Sequence, residues 1–239
     1  MRPKIICHMI TSLDGRLLPS RWSDSADAKI WDLIEAHYEP VAGELNAGGW
    51  VVGRKTMVEY IGQDEHPELL GTAMPRANAF ADAQGKHLAI AIDPQGRLRP
   101  KPGDMEDEHL VLVLSERVPN TTLAKLTQAG VSYVFAGPDG DRVEQALEAI
   151  GEAFGVDRLL LEGGGVTNGA FWAAGLIDEF SVLICPTLDG LKGVPSIVDA
   201  MGDADQLPGE GQGLRLVSSE VLDGGVVWLR HEVVRAFRH

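Results

Sequence analysis

The chain has 239 residues, 44% of them hydrophobic, which is enough material for a sizeable core in one large domain or two small ones. Its formal net charge of −14, from 21 basic and 35 acidic residues, argues against partners such as nucleic acid or an anionic membrane, so a phosphate-bearing ligand must meet a local basic patch. Apolar runs such as Leu110-Val111-Leu112-Val113-Leu114 are too short to span a bilayer and the start lacks the apolar core of a signal peptide, so a soluble, cytoplasmic protein is expected.

Residues 4–10 read as a strand that runs into Thr11-Ser12-Leu13-Asp14-Gly15-Arg16, a polar turn at its carboxyl end, where ligands collect in open α/β sheets. Residues 24–38 place Ala26, Ile30, Trp31, Leu33, Ile34 and Tyr38 at a helical period. A short buried strand over 49–53 follows, and Arg54-Lys55-Thr56 opens another helix, supplying the basic patch. Arg54 and Lys55 beside Gly53 suit a phosphate, in particular the 2′-phosphate that separates NADP from NAD. Residues 62–87 carry Pro67, Gly71, Pro75 and Gly85 without periodicity and read as a long surface loop, of the kind that serves as a lid or binding loop. Strands are expected at 88–92, closed by Asp93-Pro94, and at 110–114, closed by Ser115-Glu116-Arg117, both ends lying where an adenosine would bind. A helix over 121–129, a strand over 133–136 and a helix over 141–154, with Val143, Ala146, Leu147, Ile150 and Phe154 on one face, continue the alternation.

Leu159-Leu160-Leu161 then reads as a buried strand, Gly163-Gly164-Gly165 as a bare turn, and Thr167 or Asn168 as the cap of a short helix over Phe171 and Trp172. Unpaired N–H groups at a helix start, approached over glycines, make an anion site. Glu162 would repel a phosphate, which puts it on the reacting side and the glycines on the cofactor side. A strand over 180–185 ends at Pro186, residues 187–213 form a Gly- and Pro-rich connection, and 214–221 with 226–234 form an antiparallel hairpin turned at Asp223-Gly224-Gly225. The alternation indicates an α/β fold, a largely parallel sheet covered on both faces and completed by antiparallel strands. No linker divides the chain, so residues 1–239 are expected to be a single domain. Both cysteines, Cys7 and Cys185, lie in strands and read as buried hydrophobes, and the seven histidines lack metal-ligand spacing, so no metal is expected.

Ser12-Leu13-Asp14-Gly15, Val52-Gly53-Arg54-Lys55-Thr56, and Glu162-Gly163-Gly164-Gly165 followed by Gly175-Leu176-Ile177-Asp178-Glu179 and Pro186 together resemble the reductase domain of the riboflavin-biosynthesis deaminase/reductase family. The resemblance covers roughly residues 4–234 and implies a three-layer αβα, dihydrofolate reductase-like fold. It implies an NADPH-dependent oxidoreductase that delivers hydride to a small polar, pyrimidine- or pterin-like substrate, as a 5-amino-6-(5-phosphoribosylamino)uracil reductase does. By the same resemblance Gly53, Arg54, Lys55 and Thr56 flank the cofactor phosphates on one side and Gly163, Gly164 and Gly165 on the other; Ser115, from its place at a strand end, is the candidate contact to the adenosine. Ser12, Asp14 and Glu162 face the nicotinamide and substrate, Asp14 or Glu162 holding polar groups or passing a proton.

Two departures stand out. The family often has a Lys four residues before the Ser of the Ser-Leu-Asp-Gly element, where this chain has His8, which is either a donor or proton carrier at the site or a core histidine bonded to backbone. The family's Asp-x-Pro-x-Leu-x-x-Arg element is replaced by Asp64-Glu65-His66-Pro67-Glu68-Leu69-Leu70, with no Arg before Arg76. A dihydrofolate, imine or carbonyl reductase of the same fold, or a non-catalytic nucleotide-binding protein, are therefore the alternatives. The deaminase's His-x-Glu and Pro-Cys-x-x-Cys pattern does not occur. Domains of this resemblance commonly pair, and the hairpin formed by Leu214-Arg215-Leu216-Val217 and Val226-Val227-Trp228-Leu229 is apolar on both faces, so a homodimer is expected, the alternative being that a helix of the same subunit covers the second face.

Overall fold

The computed structural model describes residues 1–64 and 68–235. In chain order its elements are β1 (Lys4–Thr11), α1 (Ile30–Glu44), β2 (Gly49–Gly53), α2 (Arg54–Met57), β3 (His87–Ile92), β4 (Glu108–Leu114), α3 (Asn120–Gln128), β5 (Ser132–Phe135), α4 (Val143–Phe154), β6 (Arg158–Leu161), α5 (Gly165–Ala173), β7 (Glu179–Ile184), β8 (Gln212–Val221) and β9 (Val227–Arg235). The chain divides into two compact units, one of Met1–Pro3 with Gly48–Leu159, the other of Lys4–Ala47 with the residues from Leu160 on.

In the first unit the strands run in the order β5-β4-β3-β2, all parallel. The register sets Gly53 beside Ile92, Ile92 beside Val113 and Leu114 beside Phe135, so the carboxyl ends of all four strands lie along one edge. The strands are near-continuous apolar runs because both faces are covered. Val52, Met57, Ala91, Leu112, Leu114, Val118 and Leu126 form the core on one side.

The stretch 62–87, expected to be a long surface loop, also has a structural duty over its described residues. It runs along the outer edge of β5: Ala79 and Tyr133 exchange backbone hydrogen bonds of 2.9 and 2.8 Å, Asn78 Oδ1 accepts from the Phe135 N–H, and Ser132 Oγ accepts from the Ala81 N–H. An edge strand exposes a row of unpaired N–H and C=O groups, and this segment satisfies them without forming a long strand of its own. Glu65, His66 and Pro67, from the altered family element, lie outside the described residues.

In the second unit the order is β6-β1-β7-β9-β8. β1 and β7 are parallel, while β7–β9 and β9–β8 are antiparallel, as the hairpin pattern predicts. A buried carboxylate ties three strands together: Glu179 on β7 accepts from Lys4 Nζ on β1 at 2.6 Å and from Arg230 Nε on β9 at 2.7 Å. Burial alone would push the Glu179 carboxyl up, but these two cations outweigh it and hold it below the ordinary range. The first helix differs from the sequence expectation. α1 starts at Ile30 and runs through Pro40 to Glu44, burying Ile30, Leu33 and Val41, while Trp31, counted on its apolar face, is 61% exposed.

Candidate active site

Each unit presents a carboxyl edge of parallel strands. In the first, Gly53 closes β2 and caps α2 with extended backbone (φ −77°, ψ 160°), and Arg54 and Thr56 are half-buried while Lys55 is exposed. Arg54 Nη1 donates to Gln63 Oε1. Along the same edge Asp93 follows β3 and Ser115 follows β4, both almost fully buried. Asp93 Oδ2 accepts from the Leu98 N–H at 2.8 Å, and burial pushes its carboxyl up against the pull of the Leu98 and Arg97 amides and of Arg54 and Arg99. Asp93 Oδ1 and Ser115 Oγ have no hydrogen-bond partner among the described residues. Two orphaned buried polar atoms on adjacent strand ends fit the hydroxyl groups of a nucleotide.

In the second unit the Ser12-Leu13-Asp14-Gly15 element is a tight turn. The Gly15 N–H bonds Ser12 O at 2.9 Å, and Ser12 Oγ accepts from the Arg16 N–H and donates to Asp14 Oδ1 at 2.7 Å. Asp14 also accepts from the Asp189 N–H at 3.1 Å and the Gly190 N–H at 2.9 Å, lacing the turn to the loop that follows β7. The Ser12 hydroxyl first, then those two amides, hold the Asp14 carboxyl down at about 2. Ser12 and Asp14 are thus hydrogen-bonded to each other, and Asp14 also to the loop after β7. Between them Leu13 is 67% exposed, an apolar side chain at the end of β1 that its neighbours gave no reason to single out.

His8 is fully buried. Its Nε2 lies 3.2 Å from Tyr38 O, its Nδ1 3.0 Å from Ser181 Oγ, and its ring stacks on Tyr38 at 4.6 Å. Burial pushes its pKa down to about 4, against the backbone contacts that raise it. Of the two roles open for His8 the structure favours the core histidine: both nitrogens are engaged inside the unit.

Glu162 follows β6 and is half-buried, and burial first, then the charge of Glu162, push the Tyr38 phenol on α1 well above its ordinary range. The glycines that follow are not equivalent. α5 begins at Gly165, earlier than the predicted cap at Thr167 or Asn168, and Gly164 is its N-cap with φ +30°, a value that L side chains rarely adopt. Asn168 lies inside the helix, buried, donating to Ile197 O at 2.8 Å. A Cβ at Gly165 would collide with Ser196 O and lie 2.5 Å from Asp199 Oδ2. The bareness of Gly165 thus admits the chain's own segment 196–199 rather than a ligand, whereas Gly163 and Gly164 precede the first turn of α5, whose N–H groups have no partner within the helix.

With this geometry, comparison with known proteins is informative. A model of the RibD C-terminal domain family matches residues 3–228. The chain belongs to that family. A 2,5-diamino-6-ribosylamino-4(3H)-pyrimidinone 5′-phosphate reductase of Methanothermobacter thermautotrophicus is 28% identical over 204 residues, which is 84% of this chain and 86% of the relative. Among solved structures, a pyrimidine reductase-like protein from Corynebacterium diphtheriae superposes with a TM-score of 0.64 at 18% identity, over 98% of this chain and 92% of that one. RibD of Acinetobacter baumannii gives a TM-score of 0.61 at 18% identity, over 98% of this chain and 58% of RibD. The structural likenesses establish the fold, α/β and dihydrofolate reductase-like, and family membership with a reductase relative marks the chain as an oxidoreductase. No helix among the described residues is long and apolar enough to cross a membrane.

Proposed function

We propose that residues 1–239 are one NADPH-dependent reductase domain acting on a ribosylaminopyrimidine phosphate of the kind its archaeal relative is named for. The observation that carries this reading is the family match across residues 3–228, which includes the carboxyl-edge residues of both units. When bound, the nicotinamide cofactor would supply the hydride. Gly53, Arg54, Lys55 and Thr56 would hold phosphate on the first unit's edge, with Asp93 and Ser115 meeting hydroxyl groups. Gly163, Gly164 and the opening turn of α5 would hold phosphate on the second. Glu162, at the carboxyl end of β6, would hold the polar groups of the substrate. The long edge strand β8, with Leu214, Leu216, Val217 and Val221 all more than half exposed, supports a homodimer.

The test is direct. Purified protein is mixed with NADPH or NADH and each candidate pyrimidine, pterin or folate, and loss of the reduced cofactor's absorbance is followed. Turnover of the pyrimidine phosphate with NADPH is expected, and turnover of dihydrofolate alone would move the substrate to the alternative reading. Arg54→Ala should weaken NADPH about tenfold or more while leaving NADH nearly unchanged, as expected for one charge-assisted contact. Equal weakening of both cofactors would remove Arg54 from the 2′-phosphate.

A further inference from the structure

Arg54 is singled out by its motif, but the motif does not say what aims its side chain. Helical side chains lean over the turn that precedes them, and Arg54 is the first of the four residues of α2, so no earlier turn lies beneath it. A long side chain with several free torsions must be fixed by some other partner, or its freedom is lost when a ligand binds. That partner is Gln63, at the opening of the long loop: Arg54 Nη1 donates to Gln63 Oε1. A guanidinium only donates, which also settles the amide, with its oxygen toward Arg54. The acceptor is neutral, so the contact orients the guanidinium without cancelling its charge.

Gln63 is itself held. It forms an antiparallel bridge with Leu98, flanked by the Arg99 N–H donating to Gly62 O and the Asp64 N–H donating to Arg97 O, both at 2.8 Å. Leu98 is fully buried, and its N–H is bound to Asp93 Oδ2 at 2.8 Å. The Arg99 side chain closes the pair of segments: Nη1 donates to Leu98 O at 2.8 Å and Nη2 lies 3.1 Å from Asp64 Oδ2. Residues 62–64 are thus pinned to the segment that follows β3. The register sets Gly53, just before Arg54, beside Ile92 at the end of that strand, so both ends of the Arg54–Gln63 contact are carried by neighbouring strands of the first unit.

We propose that Gln63 is a positioning residue for cofactor selection: held on segment 97–99, it orients Arg54 so that the guanidinium meets the extra phosphate of NADPH. This rests on Arg54 being the 2′-phosphate contact. Gln63 acts before binding, by removing torsional freedom that Arg54 would otherwise lose to the ligand. NADH has no phosphate there, so its affinity does not depend on Gln63.

Gln63→Met keeps the length of the side chain and removes the acceptor. Calorimetric titration of this variant should show NADPH weakened about threefold to tenfold and NADH unchanged. The melting midpoint without cofactor should not move, because Gln63 is exposed and its bridge is made by backbone. Gln63→Glu retains an acceptor for Arg54 but adds negative charge where the phosphate arrives, so it should weaken NADPH more than Gln63→Met and again spare NADH. Arg54→Ala is the deciding background: if Gln63 acts through Arg54, adding Gln63→Met to it should have no further effect on NADPH. Unchanged NADPH affinity in Gln63→Met while Arg54→Ala loses NADPH selectively overturns the proposal. Equal weakening of both cofactors by Gln63→Met, or full additivity with Arg54→Ala, overturns it as well. If Arg54→Ala itself weakens both cofactors equally, the 2′-phosphate assignment fails and the selecting role of Gln63 fails with it.

Discussion

His8 carries a pH signature because it is buried as the neutral imidazole. Its pKa is pushed down from 6.5 to about 4 in the folded chain, so between those values the unfolded chain binds more protons than the native one. Stability from this group is complete above the unfolded value and declines as pH falls from 6.5 toward 4. The loss amounts to about 3 kcal/mol at one proton per histidine. Urea unfolding of the wild type should show this decline, and His8→Gln should flatten it over the same window. Asp14 behaves oppositely in its chemistry and at lower pH. Its carboxyl, held at about 2 by Ser12 and the loop amides, keeps its donors until strong acid, so the 12–16 turn should remain closed at the pH where His8 already charges. The Ser-Leu-Asp-Gly residues were legible as a turn in the sequence because the turn chemistry is local. Whether their oxygens were free was not, since two of the donors to Asp14 come from Asp189 and Gly190.

Two elements show how glycines and loops acquire structural duties that local pattern does not display. On α5, a Cβ at Gly169 would stand 2.5 Å from the Asp199 carbonyl and the Ala200 nitrogen, so this helix face is bare where the backbone of 199–200 crosses it. Gly169→Val should destabilise by about 3 kcal/mol or more, because the obstacle is backbone that cannot rotate away. A thermal melt checks this, and an unchanged midpoint would mean the 199–200 segment is free to move. Along β5 the Ala79 N–H supplies one of the hydrogen bonds that cover the edge. Ala79→Pro removes that donor and strands the Tyr133 carbonyl, a loss of about 1 to 3 kcal/mol, and uncovers a strand edge. Increased aggregation on heating, read by light scattering, is the expected outcome. The absence of periodicity in 62–87 identified a loop, but an irregular segment satisfies a strand edge with isolated bonds, and such bonds leave no repeating sequence pattern.

For the whole molecule the open strand is β8, with apolar side chains exposed along ten residues. Sedimentation at micromolar protein should give a species of twice the 25.7 kDa chain mass, and Leu216→Lys should shift it toward the monomer by placing charge on the paired face. A single species at the chain mass in the wild type would reject the dimer. By itself the sequence determined the α/β class, the parallel strands with their closing antiparallel hairpin, and the carboxyl-edge positions of Asp14, Gly53, Arg54, Glu162 and the glycines, since hydrophobic period, turn residues and strand ends are properties of neighbours in the chain. Only the tertiary structure decided that both His8 nitrogens are engaged in the interior, that Gly165 admits the chain's own backbone, and that amides from the loop after β7 close on Asp14. Each of those outcomes depends on which groups arrive from distant segments to fill a volume, share a proton or repel water, and a linear pattern does not carry that information.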